Sequence, residues 1–223
     1  MERDYGVWKF SGKEKAKLIL SYLGLCGLVS WLFYHSFWAV LPFLAGLPVF
    51  LKKSREKRIK ERREELLTEF LTGIRAIASA LDAGYSMENA LGEALKETEK
   101  VYGMDGVFTE ELREMERKRN LNQSMETLWA DLGKRSGLED IENFGEIFQV
   151  ARRSGGNLKE IIQSTADNIT RKTETRREIE ISLAAKKMEQ KVMSAVPFFI
   201  LAYVDLGSPE FLEGLYHNKL GIF

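Results

Sequence analysis

The chain has one cysteine, Cys26, and two histidines, His35 and His217. A lone thiol excludes an internal disulfide and a thiolate metal cluster, and two isolated histidines without an HExxH pattern exclude the usual zinc arrangement. Charge of either sign is also missing as a surplus: 33 lysines and arginines balance 33 aspartates and glutamates. Phosphate backbones bind net-basic surfaces, so no nucleic-acid footprint is expected. No GxxxxGK[ST] segment is present to cradle nucleotide phosphates, so any ATP-derived work must come from a partner. Proline is absent from Leu51 to Val196, as are alternating strand-like runs, which excludes a β-rich domain and leaves an all-α fold.

Apolar residues crowd into two blocks. From Leu18 to Leu51 the one strongly polar side chain is His35, and as a single helix the block would rise roughly 50 Å against a bilayer core of ~30 Å. The block is therefore read as a transmembrane hairpin over 18–51, with arms at Leu18–Tyr34 and Phe37–Leu51 turning near His35-Ser36. Lys9, Lys13, Lys15 and Lys17 precede it, and Lys52, Lys53, Arg55, Lys57, Arg58, Lys60, Arg62 and Arg63 follow it. Two crossings return both basic flanks to the cytoplasm, as the positive-inside rule requires. A cleaved signal peptide is the competing reading; the second apolar arm and the lack of a small-x-small site argue against it. The third membrane segment is placed at 192–206, after Lys186, Lys187 and Lys191. Residues 1–17 form a cytoplasmic segment, 52–191 a cytoplasmic domain, and 207–223 an interfacial or external tail with Phe211, Leu212, Leu215 and Tyr216 on one helical face.

Within 52–191 the spacing predicts six helices. Leu66, Leu67, Phe70, Leu71, Ile74, Ile77, Ala78 and Leu81 form a stripe that stops at Gly84, placed as a left-handed cap, and Ser86 opens the next helix. Thr109 is expected to cap a third helix and Ser124 stands at the start of a fourth, with Gly137 at its end. A fifth covers about Leu138 to Arg153 and ends at Gly155-Gly156. Asn157 and Glu160 suggest a capping box for the sixth, which nothing interrupts from Leu158 to Pro197. Its Arg171–Glu178 stretch is polar all round, after which Ile179, Leu183, Ala184, Met188, Val192 and Ala195 resume a stripe. Glu110, Glu111, Glu139, Asp140 and Glu142 fall in first turns, where they favour the helix dipole.

The segments AGYSMENAL (Ala83–Leu91), NQSMETL (Asn122–Leu128) and VARRSGGNLKEII (Val150–Ile162), followed by a long charged helix and a proline-containing apolar stretch, resemble the F-domain family of type II secretion and type IV pilus systems. The likeness covers roughly Leu66 to Leu206 and is strongest to the tight-adherence type of inner-membrane platform protein, which has a single F domain. The segment Asn122-Gln123-Ser124 stands where the family more often shows a glycine, and family members usually carry one more span after the short post-membrane segment that here ends at Phe223. The resemblance implies a multi-pass inner-membrane protein with no catalytic, cofactor or metal site. It implies as partners a hexameric secretion ATPase, pilin or pseudopilin subunits, other platform subunits and membrane lipid. Gly84, Ser86, Ser124, Gly155, Gly156 and Asn157 are the motif positions, structural or partner-docking. The alternative is a membrane-anchored dimeric helical signalling or scaffold protein, with the helix around Arg171–Lys191 as its stalk.

Overall fold

The computed structural model describes residues 4–8, 10–34, 45–154 and 158–207. The expected turn at His35-Ser36, most of the second hairpin arm, the Gly155-Gly156-Asn157 motif and the tail beyond Gly207 lie outside the described residues. Among those described the chain is all helical: α1 Gly12–Tyr34, α2 Leu47–Asp82, α3 Met87–Tyr102, α4 Val107–Asn120, α5 Met125–Ser136, α6 Glu139–Ser154 and α7 Leu158–Gly207. These helices divide between two compact units. One is Met1–Trp8 with Glu56–Arg176, and the other is Lys9–Arg55 with Arg177–Phe223.

The first unit is a six-helix bundle whose core takes residues from α2 to α7. Apolar positions three and four apart line one face of each helix, so every helix offers a stripe that water disfavours and neighbours cover. The stripe on α2 buries Leu66, Phe70, Ile74 and Ile77; α3 adds Ala90 and Leu91, α4 Phe108 and Leu112, α5 Trp129 and Leu132, α6 Ile141 and Phe144, and α7 Ile162 and Ala166. The helix ends follow local chemistry. Gly84 adopts φ +88°, and the Tyr85 N–H donates to the Ala80 carbonyl at 3.0 Å while Gly84 N–H donates to Leu81 at 3.1 Å. This paired closure satisfies carbonyls that the last turn leaves open. Gly137, at φ +60°, ends α5 in the same left-handed region.

The start of α4 departs from the expected cap. Gly106 holds the cap position without a side chain, and Thr109 lies inside the helix with its hydroxyl buried. The carboxylate of Glu69 instead reaches across from α2 and accepts the Phe108 N–H at 2.8 Å. A charged acceptor 39 residues away thus does the work assigned to a local hydroxyl.

Helices α5 and α6 meet most closely, at two glycines. A Cβ at Gly133 would stand 2.8 Å from Glu142 Cα, and one at Gly145 would stand 3.0 Å from the Trp129 carbonyl oxygen. Both obstacles are backbone, so no rotamer change relieves them. Gly133→Ala is expected to cost about 1–3 kcal/mol, because overpacking outweighs the helix propensity gained. Gly92→Ala, whose Cβ would meet the Glu116 Oε1 at an ordinary 3.5 Å, should be neutral or stabilising by up to ~1 kcal/mol. Urea unfolding of both variants followed by circular dichroism checks the contrast; equal effects would refute the close backbone contact.

In the second unit, α7 continues as one helix through Pro197 to Gly207. Leu20, Leu25 and Leu28 of α1 and Val192, Met193, Phe199, Ile200 and Tyr203 of α7 are exposed. Among the described residues, no helix is long and apolar enough to cross a membrane.

Candidate docking end of the bundle

Three of the six motif positions fall in the described residues, and they gather at one end of the bundle. Gly84 closes α2, and Ser86 caps α3 by accepting the Asn89 N–H at 3.3 Å. Ser124 caps α5, accepting the Thr127 N–H at 3.3 Å and lying 2.8 Å from its hydroxyl. What joins the two capped helices is Arg152, near the end of α6. Its guanidinium lies 3.3 Å from Glu88 in the first turn of α3 and 3.2 Å from Glu126 in the first turn of α5. Arg119, from the end of α4, donates to the Glu88 carbonyl, and Lys159 in the first turn of α7 pairs with Asp82 in the last turn of α2. Glu88 and Glu126 therefore sit at helix N-termini and Arg119 and Arg152 at C-termini, the arrangement that the helix dipoles favour, whereas the Asp82–Lys159 pair runs against the dipoles and rests on its direct contact. Arg152 and Lys159 flank the Gly155-Gly156-Asn157 motif in sequence.

This end combines fixed charge with exposed apolar groups. Tyr85 and Leu121 are 49% and 72% exposed. Beside it, between α2 and α3, runs a groove of about 520 Å³ floored by Ala76, Ser79, Ala80 and Ala83 and rimmed by Arg75, Tyr85, Glu93 and Glu97. Such a surface, small side chains on its floor and charges on its rim, can receive a protein segment. Among the described residues no group of three His, Cys, Asp or Glu side chains could hold a metal ion.

Glu88 is held below the ordinary carboxylate range, first by a backbone hydrogen bond at the helix start, against the opposing effect of burial, and then by Arg152 and Ser86. A depressed carboxylate stabilises the fold above its unfolded value of about 4.3, and the contribution fades as pH falls through the lower folded value. The stability gap between wild type and Glu88→Gln should therefore be full at pH 7 and narrow progressively as pH falls below about 4.3, measured as thermal midpoints across pH. A gap that stays constant down to pH 3 would contradict this.

The opposite end of the bundle is built on a contact that sequence spacing does not reveal. The Tyr5 hydroxyl donates to Glu111 Oε1 at 2.8 Å, and Arg135 grips the same carboxylate at 3.0 and 2.7 Å while its Nε donates to Asp131 at 2.7 Å. The Tyr5 N–H donates to the Arg135 carbonyl at 3.1 Å, and Arg62 lies over the rings of Tyr5 and Trp8 at 5.2 and 5.6 Å. Glu111, expected as a first-turn carboxylate favouring the helix dipole, is 5% exposed and bidentately paired with Arg135. Burial, and then the Glu111 charge, push the Tyr5 phenol up. Burial lowers the Arg135 guanidinium, but its bonds to Glu111 and Asp131 outweigh that and raise it above its ordinary value. Near α6, Lys172 of α7 holds Asp140 at 2.6 Å, so this second first-turn carboxylate is also an inter-helix tie.

The described residues thus hold a bundle with one motif-bearing end, one N-terminal strap and a seventh helix that runs on past the bundle. No curated protein and no solved structure matches the chain. The family model described as type II secretion system (T2SS), protein F, matches residues 74–205, from the C-terminal part of α2 to near the end of α7, which is more than half of the sequence, and the chain belongs to that family.

Proposed function

We propose that this chain is an inner-membrane platform protein of a type II secretion or type IV (tight-adherence) pilus assembly system, coupling a cytoplasmic secretion ATPase to the insertion or extraction of pilin subunits. The observation that carries the reading is α7. Its first turns are anchored in the bundle by Ile162, Ala166 and Ile169, and the same helix runs unbroken to Gly207 with Val192, Phe199 and Tyr203 facing outward. A continuous helix held at one end by a close-packed core transmits displacement, because helix and core both resist compression. Contiguous exposed apolar side chains are uncommon on a soluble surface and mark a lipid or protein environment. Lysines at 186, 187 and 191 precede that stretch, as Lys13, Lys15 and Lys17 precede the apolar part of α1, which supports the in-out-in topology with the bundle cytoplasmic. The apolar stretch of α7 is short for a span, and lysine side chains that reach back to the interface lengthen its effective reach.

The motif-bearing end is assigned to the ATPase, and the second unit to pilin, other platform subunits and lipid. Photo-crosslinkers at Tyr85, Ser86 and Ser124 should label the ATPase, whereas one at Phe199 should label pilin or lipid. Labelling of pilin alone from all the bundle positions would overturn the assignment.

A dimeric membrane-anchored scaffold is the second reading, favoured by the exposed Ile179, Ile181, Leu183 and Met188 on α7. These residues do not sustain the a/d spacing of a long coiled coil. Cysteines at Leu183 that crosslink quantitatively between copies in the absence of secretion partners would favour the scaffold.

A further inference from the structure

The second unit contains a groove of about 1100 Å³ between α1 and α7. Leu25 and Leu28 form its α1 side; along α7 it runs from Lys191 at one end to Phe198, Phe199 and Ala202 at the other. Its polarity is therefore graded: cationic where α7 leaves its charged stretch, apolar one to three turns later. Leu25, Leu28 and Phe199 are 62%, 61% and 74% exposed, so none of the described residues covers the wall they make. Lys191 is exposed and forms no ion pair among the described residues, and Lys187 precedes it by one turn.

The dimensions select an occupant. From Lys191 to Ala202 the helix rises roughly 16 Å at ~1.5 Å per residue. One leaflet of a bilayer's hydrocarbon core is about 15 Å deep, half of ~30 Å. A phosphate placed at Lys191 thus leaves an acyl chain the right length of apolar wall. A partner helix suits the groove less well, because close helix approach needs small residues on the contact face. Ser194, Ala195 and Ala202 are small, but Leu25, Leu28, Phe198 and Phe199 stand between and opposite them, and a flexible hydrocarbon chain conforms to so uneven a wall more readily than a helix does. A buried helix would also leave Lys191 without a counter-charge.

We infer that this groove binds one anionic glycerophospholipid, its phosphate on Lys191 and an acyl chain along Phe198–Ala202. The inference rests on the membrane-embedded reading above. It makes lipid a fixed component of the α1–α7 pair, beyond a bulk solvent for it.

Native mass spectrometry of the full chain in mild detergent, with phosphatidylglycerol or phosphatidylcholine of identical chains, tests it. Phosphatidylglycerol should be retained roughly fivefold more strongly, the factor expected of a single lysine at an anionic headgroup. Lys191→Gln should abolish that preference while Lys186→Gln, an equal charge change outside the groove, keeps it. Ala202→Trp should reduce retention of both lipids by filling the apolar end, with circular dichroism confirming that each variant is folded. No headgroup preference, equal loss in both lysine variants, or undiminished retention by Ala202→Trp would each overturn the site. Vesicle flotation of the wild type separates the two levels: a chain that floats without headgroup preference removes the groove alone, and one that does not float removes the embedding as well.

Discussion

Arg135→Met should destabilise the bundle by about 3–5 kcal/mol, the cost of leaving a buried carboxylate without its counter-charge. Glu111 and Arg135 expose only 7% and 14% of their side chains, and the pair is bidentate at 2.7 and 3.0 Å. Removing the guanidinium leaves the buried Glu111 carboxylate without its bidentate partner, with the Tyr5 hydroxyl still donating to it. The cost belongs to the broken pair, not to an intact pair's net worth. Replacing both partners, as Glu111→Leu with Arg135→Met, should therefore recover most of the loss, because the desolvation of two ions disappears with them. The double variant still leaves the Tyr5 hydroxyl without its acceptor, so adding Tyr5→Phe should recover a further increment of about 1 kcal/mol. Urea unfolding of the full chain, followed by far-ultraviolet circular dichroism, reads all three. An Arg135→Met cost below about 1 kcal/mol, in the range of a solvated surface pair, would sink the argument.

That network also shows where sequence reasoning stops. The local features were legible: the stripe from Leu66 to Leu81, the left-handed cap at Gly84, the hydroxyl cap at Ser86, the helix start at Ser124 and the helix end at Gly137 all follow from rules that span at most a few residues. Helix continuity through Leu158–Pro197 was legible for the same reason, because nothing in that stretch breaks the pattern. Glu69 at the start of α4 and Tyr5 on Glu111 are separated from their partners by 39 and 106 residues. Spacing along a helix carries no information about a carboxylate arriving from another one. Thr109 misled because a hydroxyl near a helix start has the right chemistry for a cap, and only the fold shows that the position was already served.

At the candidate docking end the same division holds. Gly84, Ser86 and Ser124 were found as motif positions, but their convergence is made by Arg152, which reaches Glu88 and Glu126 from α6. Two first-turn glutamates and a last-turn arginine are each unremarkable in sequence, since the dipole favours all three independently. Their meeting is a property of how the helices are arranged. It brings the described motif positions, Gly84, Ser86 and Ser124, to one end of the bundle.

Trp129→Ala is the other substitution expected to cost about 3–5 kcal/mol, here through loss of apolar contact and the cavity left behind. Trp129 is fully buried, and its ring meets Phe144 edge-on at 4.8 Å, Phe70 at 6.1 Å, Phe148 at 6.1 Å and Phe108 at 6.4 Å. One side chain of α5 thus touches α2, α4 and α6 together, mostly in the tilted and edge-to-face geometries that aromatic quadrupoles prefer. Four rigid rings cannot collapse into the space of an indole without moving their helices, so little of the cavity should close. Against a total stability of ~5–15 kcal/mol for a domain, the loss would leave the bundle marginal. Trp129→Phe should behave differently. It keeps most of the ring, and the indole N–H it removes has no acceptor among the described residues, so no hydrogen bond is lost. The two variants separate packing from polarity in one measurement of unfolding midpoints, and equal costs for Ala and Phe would show that ring volume is not what Trp129 contributes. The consequence reaches α7, whose Ile162, Ala166 and Ile169 rest on the same core. A bundle loosened at Trp129 should yield at the base of that helix before it transmits a displacement. In the proposed platform, Trp129→Ala should therefore abolish pilus assembly at temperatures where the protein still accumulates, and Trp129→Phe should preserve it.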